Sequence, residues 1–269
     1  MKIIFTLALV AIVGGIIYFV TQSKDVAPKT DNPVVQESSN SNVLEAKVEA
    51  VGVIPIEHAT MVVTFGDVVV YVDPIGGAQA FSGKPPATIV LVTDIHGDHF
   101  STTTLTEVVG GQTTLIVPQA VKDKLPEALA AKALVMANND MINVGNIIIA
   151  AVPMYNLPEA ADSPHAKGRG NGYLVTGNDT RVYIAGDTGP IPEMKALTDI
   201  DIAFIPMNLP YTMSVEDAAK AVLAFAPKKV IPYHYRQPDG LADVQKFKSL
   251  IEAGNTEINV ELLDWYPKP

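Results

Sequence analysis

An α/β fold (α+β by some schemes), with two layered sheets and helices outside them, is predicted by three observations. Strand-like apolar runs crowd the first part of the globular region. Later runs of the same kind alternate with helical stretches, the order expected of sheets covered by helices. Apolar residues make up 48% of the 269, enough for a substantial core in one large domain or two small ones. No internal repeat is present.

In chain order, residues 3–20 (IIFTLALVAIVGGIIYFV) are apolar apart from Thr6 and carry no charge. As a helix they span about 27 Å, close to the thickness of a bilayer core. Residues 1–21 are therefore expected to form a transmembrane anchor. A cleaved signal peptide is the competing reading, though no good Ala-x-Ala cleavage site follows. Lys2 precedes the run and Lys24 follows it. The balance favours an inside N-terminus, which places the main domain outside the cytoplasmic membrane, anchored or, after cleavage, secreted. Residues 22–43 (QSKDVAPKTDNPVVQESSNSNV) are too polar to fold alone and read as a disordered linker. The globular domain is assigned to 44–269.

Within that domain, 59–66 (ATMVVTFG) and 67–74 (DVVVYVDP) read as two strands joined at Gly66-Asp67 by a hairpin turn. Further strands are expected at 87–93, 113–118, 146–153, 172–177, 181–187, 201–206 and 229–234. Helices are expected at 118–132, 214–226 and 241–253. Ser214, with Asp217 three residues on, makes a capping start for the second of these, and Pro227 ends it.

Composition excludes several classes. The net charge is −10 and no basic stripe exists, so nucleic acid is not an expected partner. With no cysteine there is no disulfide, thiolate metal site or cysteine nucleophile. No Gly-x-Ser-x-Gly elbow occurs. The glycine-rich GRGNG leads into a strand-like run rather than a helix, which is the wrong context for cradling phosphates.

The informative stretch is 92–101, VTDIHGDHFS. Two of the five histidines and two aspartates fall within six positions at the end of a strand. Side chains two apart in an extended segment face the same way, so Asp94 and His96 can share a point. Gly97 permits the turn that brings Asp98 and His99 to it. Imidazole and carboxylate are ligands for zinc, manganese or iron.

DIHGDH resembles the His-x-His-x-Asp-His motif of the metallo-β-lactamase fold superfamily. That family's other motifs have counterparts in order: Asp73 in YVDP, Asp187 in YIAGDT and His234 in IPYHY. Within it, IEHATMVV…VDP and HAKGRGNGYLV…RVYIAGDT look like the branch of ascorbate-phosphate lactonases and N-acyl-phosphatidylethanolamine phospholipase D. The resemblance implies a four-layered αβ/βα sandwich with its site at the edge of the two sheets. Two departures stand out. Asp94 replaces the leading histidine, which adds negative charge and weakens one position or shifts its metal preference. The strand end where relatives carry a third histidine has Asn156, and the nearest histidine is His165, in a glycine-rich loop.

The resemblance implies two divalent ions, zinc first, with manganese or iron open. Asp94, His96 and His165 would hold one; Asp98, His99 and His234 the other; Asp187 would bridge them. A metal-bound hydroxide would attack an ester, lactone, amide or phosphodiester bond of a small-molecule or lipid-like substrate, with Asp98 carrying protons. Asp73 is expected behind the ligands. His58 is expected beside them or on the substrate. Lys167 and Arg169 are candidates for an anionic substrate group, and Tyr155 and Tyr235 for the oxyanion. The alternative is a membrane-tethered binding or sensing protein that kept the fold and lost the chemistry.

Overall fold

The computed structural model describes residues 51–267. The expected anchor, the linker and the first residues of the assigned domain lie outside that range. Among the described residues no helix is long and apolar enough to cross a membrane.

The first sheet runs β1 (Gly52–Glu57), β2 (Thr60–Phe65), β3 (Val68–Val72), β4 (Ile89–Leu91), β5 (Thr114–Val117) and β6 (Leu134–Val135), in that spatial order. The second contains β7 (Met141–Val144), β8 (Ile147–Met154), β9 (Gly170–Gly177), β10 (Thr180–Ile184), β11 (Ile202–Pro206) and β12 (Lys229–Tyr233). After a small hairpin of β13 (Arg236–Gln237) and β14 (Gly240–Leu241), β15 (Asn259–Val260) closes its far edge beside β12. Each sheet is part antiparallel and part parallel. The switch falls at β3 in the first sheet and at β10 in the second.

The alternation in β2 and β3 explains the layering. Met61, Val63, Phe65, Val70 and Val72 share a buried cluster with the inner face of the second sheet. Val62, Val69 and Tyr71 point the other way, onto Leu105, Val121 and Leu129 of the covering helices. The helices Val215–Phe225 and Val244–Gly254 cover the second sheet with Ala218, Val222, Phe225, Phe247 and Ile251. The result is a mixed α/β sandwich in the order helix, sheet, sheet, helix.

The nine expected strands and the two C-terminal helices lie where their patterns predict, whereas β1, β6, β7, β13, β14 and β15 have no counterpart among the expected elements. Gly66 turns the β2–β3 hairpin in the left-handed region (φ 61°). Ser214 and Asp243 accept hydrogen bonds from Asp217 N and Lys246 N as N-caps. The helix expected over 118–132 is instead two short ones, Gln119–Lys122 and Glu127–Ala130, because Pro126 interrupts the ladder. The helix Thr102–Val108 was not anticipated, since its threonines have low helix propensity. Ser101 nonetheless caps it, accepting from Thr104 N.

Candidate metal centre

The candidate residues follow the C-terminal ends of strands along one edge of the sandwich: Asp73 after β3, residues 94–99 after β4, Asn156 after β8, Asp187 after β10 and His234 after β12. In the 94–99 turn, His99 N and Phe100 N both donate to His96 O, at 3.0 and 2.9 Å. Asp73 holds this turn from behind. Its Oδ1 accepts from Thr93 N at 2.7 Å, and its Oδ2 from Thr93 Oγ1 at 2.7 Å and from His99 Nδ1 at 2.8 Å. Burial raises the Asp73 pKa against the lowering effects of His99 and Thr93. A His99 proton given to Asp73 leaves Nε2 with its lone pair facing the cluster.

Onto that nitrogen three other groups converge. His234 Nε2 lies 3.1 Å away and Asp187 Oδ2 3.2 Å, while Asp187 Oδ1 is 3.3 Å from His234 Nε2. Asp98, half-exposed in the cleft, reaches His234 Nε2 at 3.3 Å and His99 Nε2 at 3.9 Å. Burial pushes the Asp187 carboxyl up, but His234, His99 and the His165 contact outweigh it and hold the pKa well below the ordinary value. Asp98 follows the same pattern: burial raises it, and His234 and His99 bring it down.

Of the two further trios, Asp94, His96 and His165 bring their ligand atoms together beside this cluster, and His58, Asp98 and His234 do so at its flank. His96 Nδ1 sits 2.8 Å from Asp94 Oδ2, and His165 Nε2 lies 3.2 Å from Asp187 Oδ2. The loop does carry His165 inward, and Asn156, whose role the sequence did not reveal, is how. Its Oδ1 accepts from His165 N at 2.9 Å and lies 3.1 Å from Nδ1, while its Nδ2 donates to Tyr211 O. The strand-end residue thus holds His165 at the cluster.

Four residues expected beside the ligands or on the substrate are engaged by protein groups. Arg169 lies behind a candidate ligand: its Nε and Nη2 fork onto Asp94 Oδ1 and Oδ2 at 3.1 and 2.8 Å. Lys167 is paired with Glu159 and Glu193 and lies over the Tyr155 ring. Tyr155 is buried and gives its hydroxyl to Glu193 Oε2. Tyr235 packs edge-on against Tyr266 and does not line the cleft. In each case a carboxylate or ring from a distant segment takes up the group. His58 lies against His234, ring edge to face at 5.5 Å, and its carbonyl accepts from His234 N.

A cleft of about 360 Å³ opens onto the cluster, lined by His96, Asp98, Pro164, His165, Asp187, Asn208 and Tyr211. The residues fit a metal. His165 Nε2 and Asp187 Oδ1 are buried and meet one another's side chains and His234, at 3.2 and 3.3 Å and without hydrogen-bond alignment, an arrangement that an ion between them would relieve. Ring nitrogens and carboxylates converging on one another are the donor set of zinc, manganese or iron.

The family model for the beta-lactamase superfamily domain matches residues 54–234. The chain belongs to that superfamily, and fold and site together define its class as a metal-dependent hydrolase of the metallo-β-lactamase fold. A metal-dependent hydrolase of Methanoregula boonei is 31% identical over 215 residues, covering 77% of this chain and 91% of that one. One from Thermococcus onnurineus is 29% identical over 192 residues, covering 68% and 84%. The crystal structure of a candidate metal-dependent hydrolase from Parabacteroides distasonis superimposes with a TM-score of 0.69 at 36% identity, covering 79% and 92%.

Proposed function

We propose that the chain uses two divalent ions, zinc first, to hydrolyse an uncharged ester, lactone or amide. The observation that carries the substrate reading is the fate of the cations. Arg169 is spent on Asp94 and Lys167 on Glu159 and Glu193, so neither is free for a phosphate or carboxylate. The cleft is lined in part by Pro164 and Tyr211, and Tyr211 is 45% exposed. These facts favour carbonyl substrates with apolar groups over phosphodiesters, whose charge the bound ions alone, with no free lysine or arginine, would have to meet.

His99, His234, Asp98 and Asp187 would hold one ion, and Asp94, His96 and His165 the other. When bound, such ions supply Lewis-acid activation of water and of the acceptor oxygen. Asp73 fixes the His99 ring so that Nε2 faces the site. Asn156 and the Tyr211 carbonyl do the same for His165 through Nδ1. Asp98, kept ionised by its histidine neighbours and reaching the cleft, is placed to accept a hydrogen bond from the attacking water and to orient it.

The test is a substrate panel with zinc-, manganese- and iron-loaded protein. Aryl esters and γ-lactones should exceed bis(p-nitrophenyl) phosphate in kcat/KM by at least roughly tenfold. The opposite order would overturn the assignment of the bond. The apolar run at 3–20 supports a membrane-tethered domain outside the cytoplasm. Fractionation tests this: the whole chain should sediment with membranes, and a chain lacking residues 1–43 should not.

A further inference from the structure

The two candidate metal positions differ in one respect that has nothing to do with their histidines. Asp94 is wholly buried, and both its oxygens are engaged by the planar fork of Arg169. His96 Nδ1 takes a further lone pair of Oδ2 at 2.8 Å. A carboxylate offers about four such sites, so roughly one remains. The guanidinium is itself held, with Nη2 also donating to the Pro164 carbonyl. It is only 22% exposed, which limits its screening by water. Asp98 and Asp187 have no lysine or arginine partner among the described residues; their charged neighbours are histidines. Counting carboxylates and guanidinium alone, Arg169 balances the charge of Asp94, whereas Asp98 and Asp187 bring two negative charges with no such balance.

We infer that Arg169 makes the two metal positions unequal: it stands as a resident cation on Asp94, so the chain holds one ion tightly at His99, His234, Asp98 and Asp187 and a second one weakly. This rests on the metal-dependent reading given above. The physical cause is twofold. The lone pairs that would bind the second ion already serve Arg169, and a partly buried positive charge repels a dication beside it. Arg169 is therefore a positioning residue, acting through Asp94.

The experiment is a titration of the full chain, stripped with chelator, with zinc and separately with manganese, followed by calorimetry and by elemental analysis after gel filtration. The wild type should retain one ion through the column, with a second binding roughly 10–100-fold more weakly. Arg169→Met should tighten the second ion by a comparable factor and leave the first unchanged. Arg169→Lys, which keeps the charge and loses the fork, should fall between them. Circular dichroism checks that each variant folds, and the wild-type isotherm is a test independent of either. Two ions of equal affinity in the wild type, or a second affinity that Arg169→Met leaves unchanged or weakens, would overturn the inference while leaving metal dependence intact. No ion bound at all would overturn the metal-dependent reading itself, and this inference with it.

Discussion

Three residues of the centre adopt a backbone conformation that side chains usually avoid. His58, Asp73 and His234 have φ of 50°, 44° and 45°. The left-handed region costs a non-glycine residue about 1–2 kcal/mol. Such outliers persist where the surrounding structure overdetermines them, as at functional sites. Here the turns aim the His99–Asp73 pair and the His234 ring at one point. Asp73→Ala should therefore leave the fold in place and lower affinity for the first ion roughly 10–100-fold, measured by competition with a chromogenic chelator. Unchanged affinity would mean that packing alone orients His99. Much of this was legible in sequence, because Asp73, Asp94, His96, Asp98, His99, Asp187 and His234 all sit at the ends of recognisable strands. The fate of Arg169 was not. Its partner is 75 positions away, and which carboxylate it meets depends on the path of a loop that no periodicity describes.

At the scale of elements, the runs rich in Val and Ile gave β2, β3, β4, β5, β8, β10, β11 and β12 clearly, since an apolar run between turn residues has few other uses. Two-residue strands such as β6 and β15 are fixed only by their neighbours and leave no such signature. The start of β9 carries a further constraint. A Cβ on Gly170 would stand 2.2 Å from Met154 Cε, 2.7 Å from the Thr93 carbonyl and 3.3 Å from Asp94 Oδ1. Gly170→Ala should destabilise the protein by roughly 1–3 kcal/mol and loosen the Asp94 position, visible as a lower urea midpoint. At the opposite end of the sheet, Asp201 accepts from Arg181 N and from Lys228 Nζ, both at 2.7 Å, tying β10 to the start of β12. Burial raises its pKa, but the Lys228 and Arg181 hydrogen bonds prevail and lower it. A lowered folded pKa adds stability above the ordinary aspartate range and loses it as pH falls through the folded value. Asp201→Asn should cost about 1 kcal/mol at neutral pH, and the difference from wild type should shrink towards zero in acid. Thermal melts across pH 2–7 would show it; a difference independent of pH would point to shape rather than charge.

For the whole molecule, the sandwich keeps its core within and between the sheets and puts its polar cluster at their common edge. That division was foreseeable from strand order, whereas the depth of the cleft was not, because the loops 157–169 and 208–211 that shape it carry no pattern. Candidate ligands contributed by both sheets would couple metal binding to the stability of the entire domain. An ion present at a hundred times its Kd adds about 2.7 kcal/mol to unfolding. Chelation should therefore lower Tm by several degrees, roughly 2–4 °C per kcal/mol for a domain of this size, and zinc should restore it. A Tm indifferent to chelator would argue that the metal contributes nothing to folding.

His99 and His234 are 135 residues apart in the chain, one following a strand of the first sheet and the other a strand of the second. An ion shared by them closes a loop of that span, and a covalent bridge over about 100 residues removes enough chain entropy from the unfolded state to be worth roughly 4–5 kcal/mol. The sequence contains no cysteine, so it has no disulfide to do this work. The ion would serve as a reversible rivet between the sheets. Resistance to proteases would then rise and fall with the supply of metal, so that loss of the ion would shorten the protein's lifetime as well as silence it.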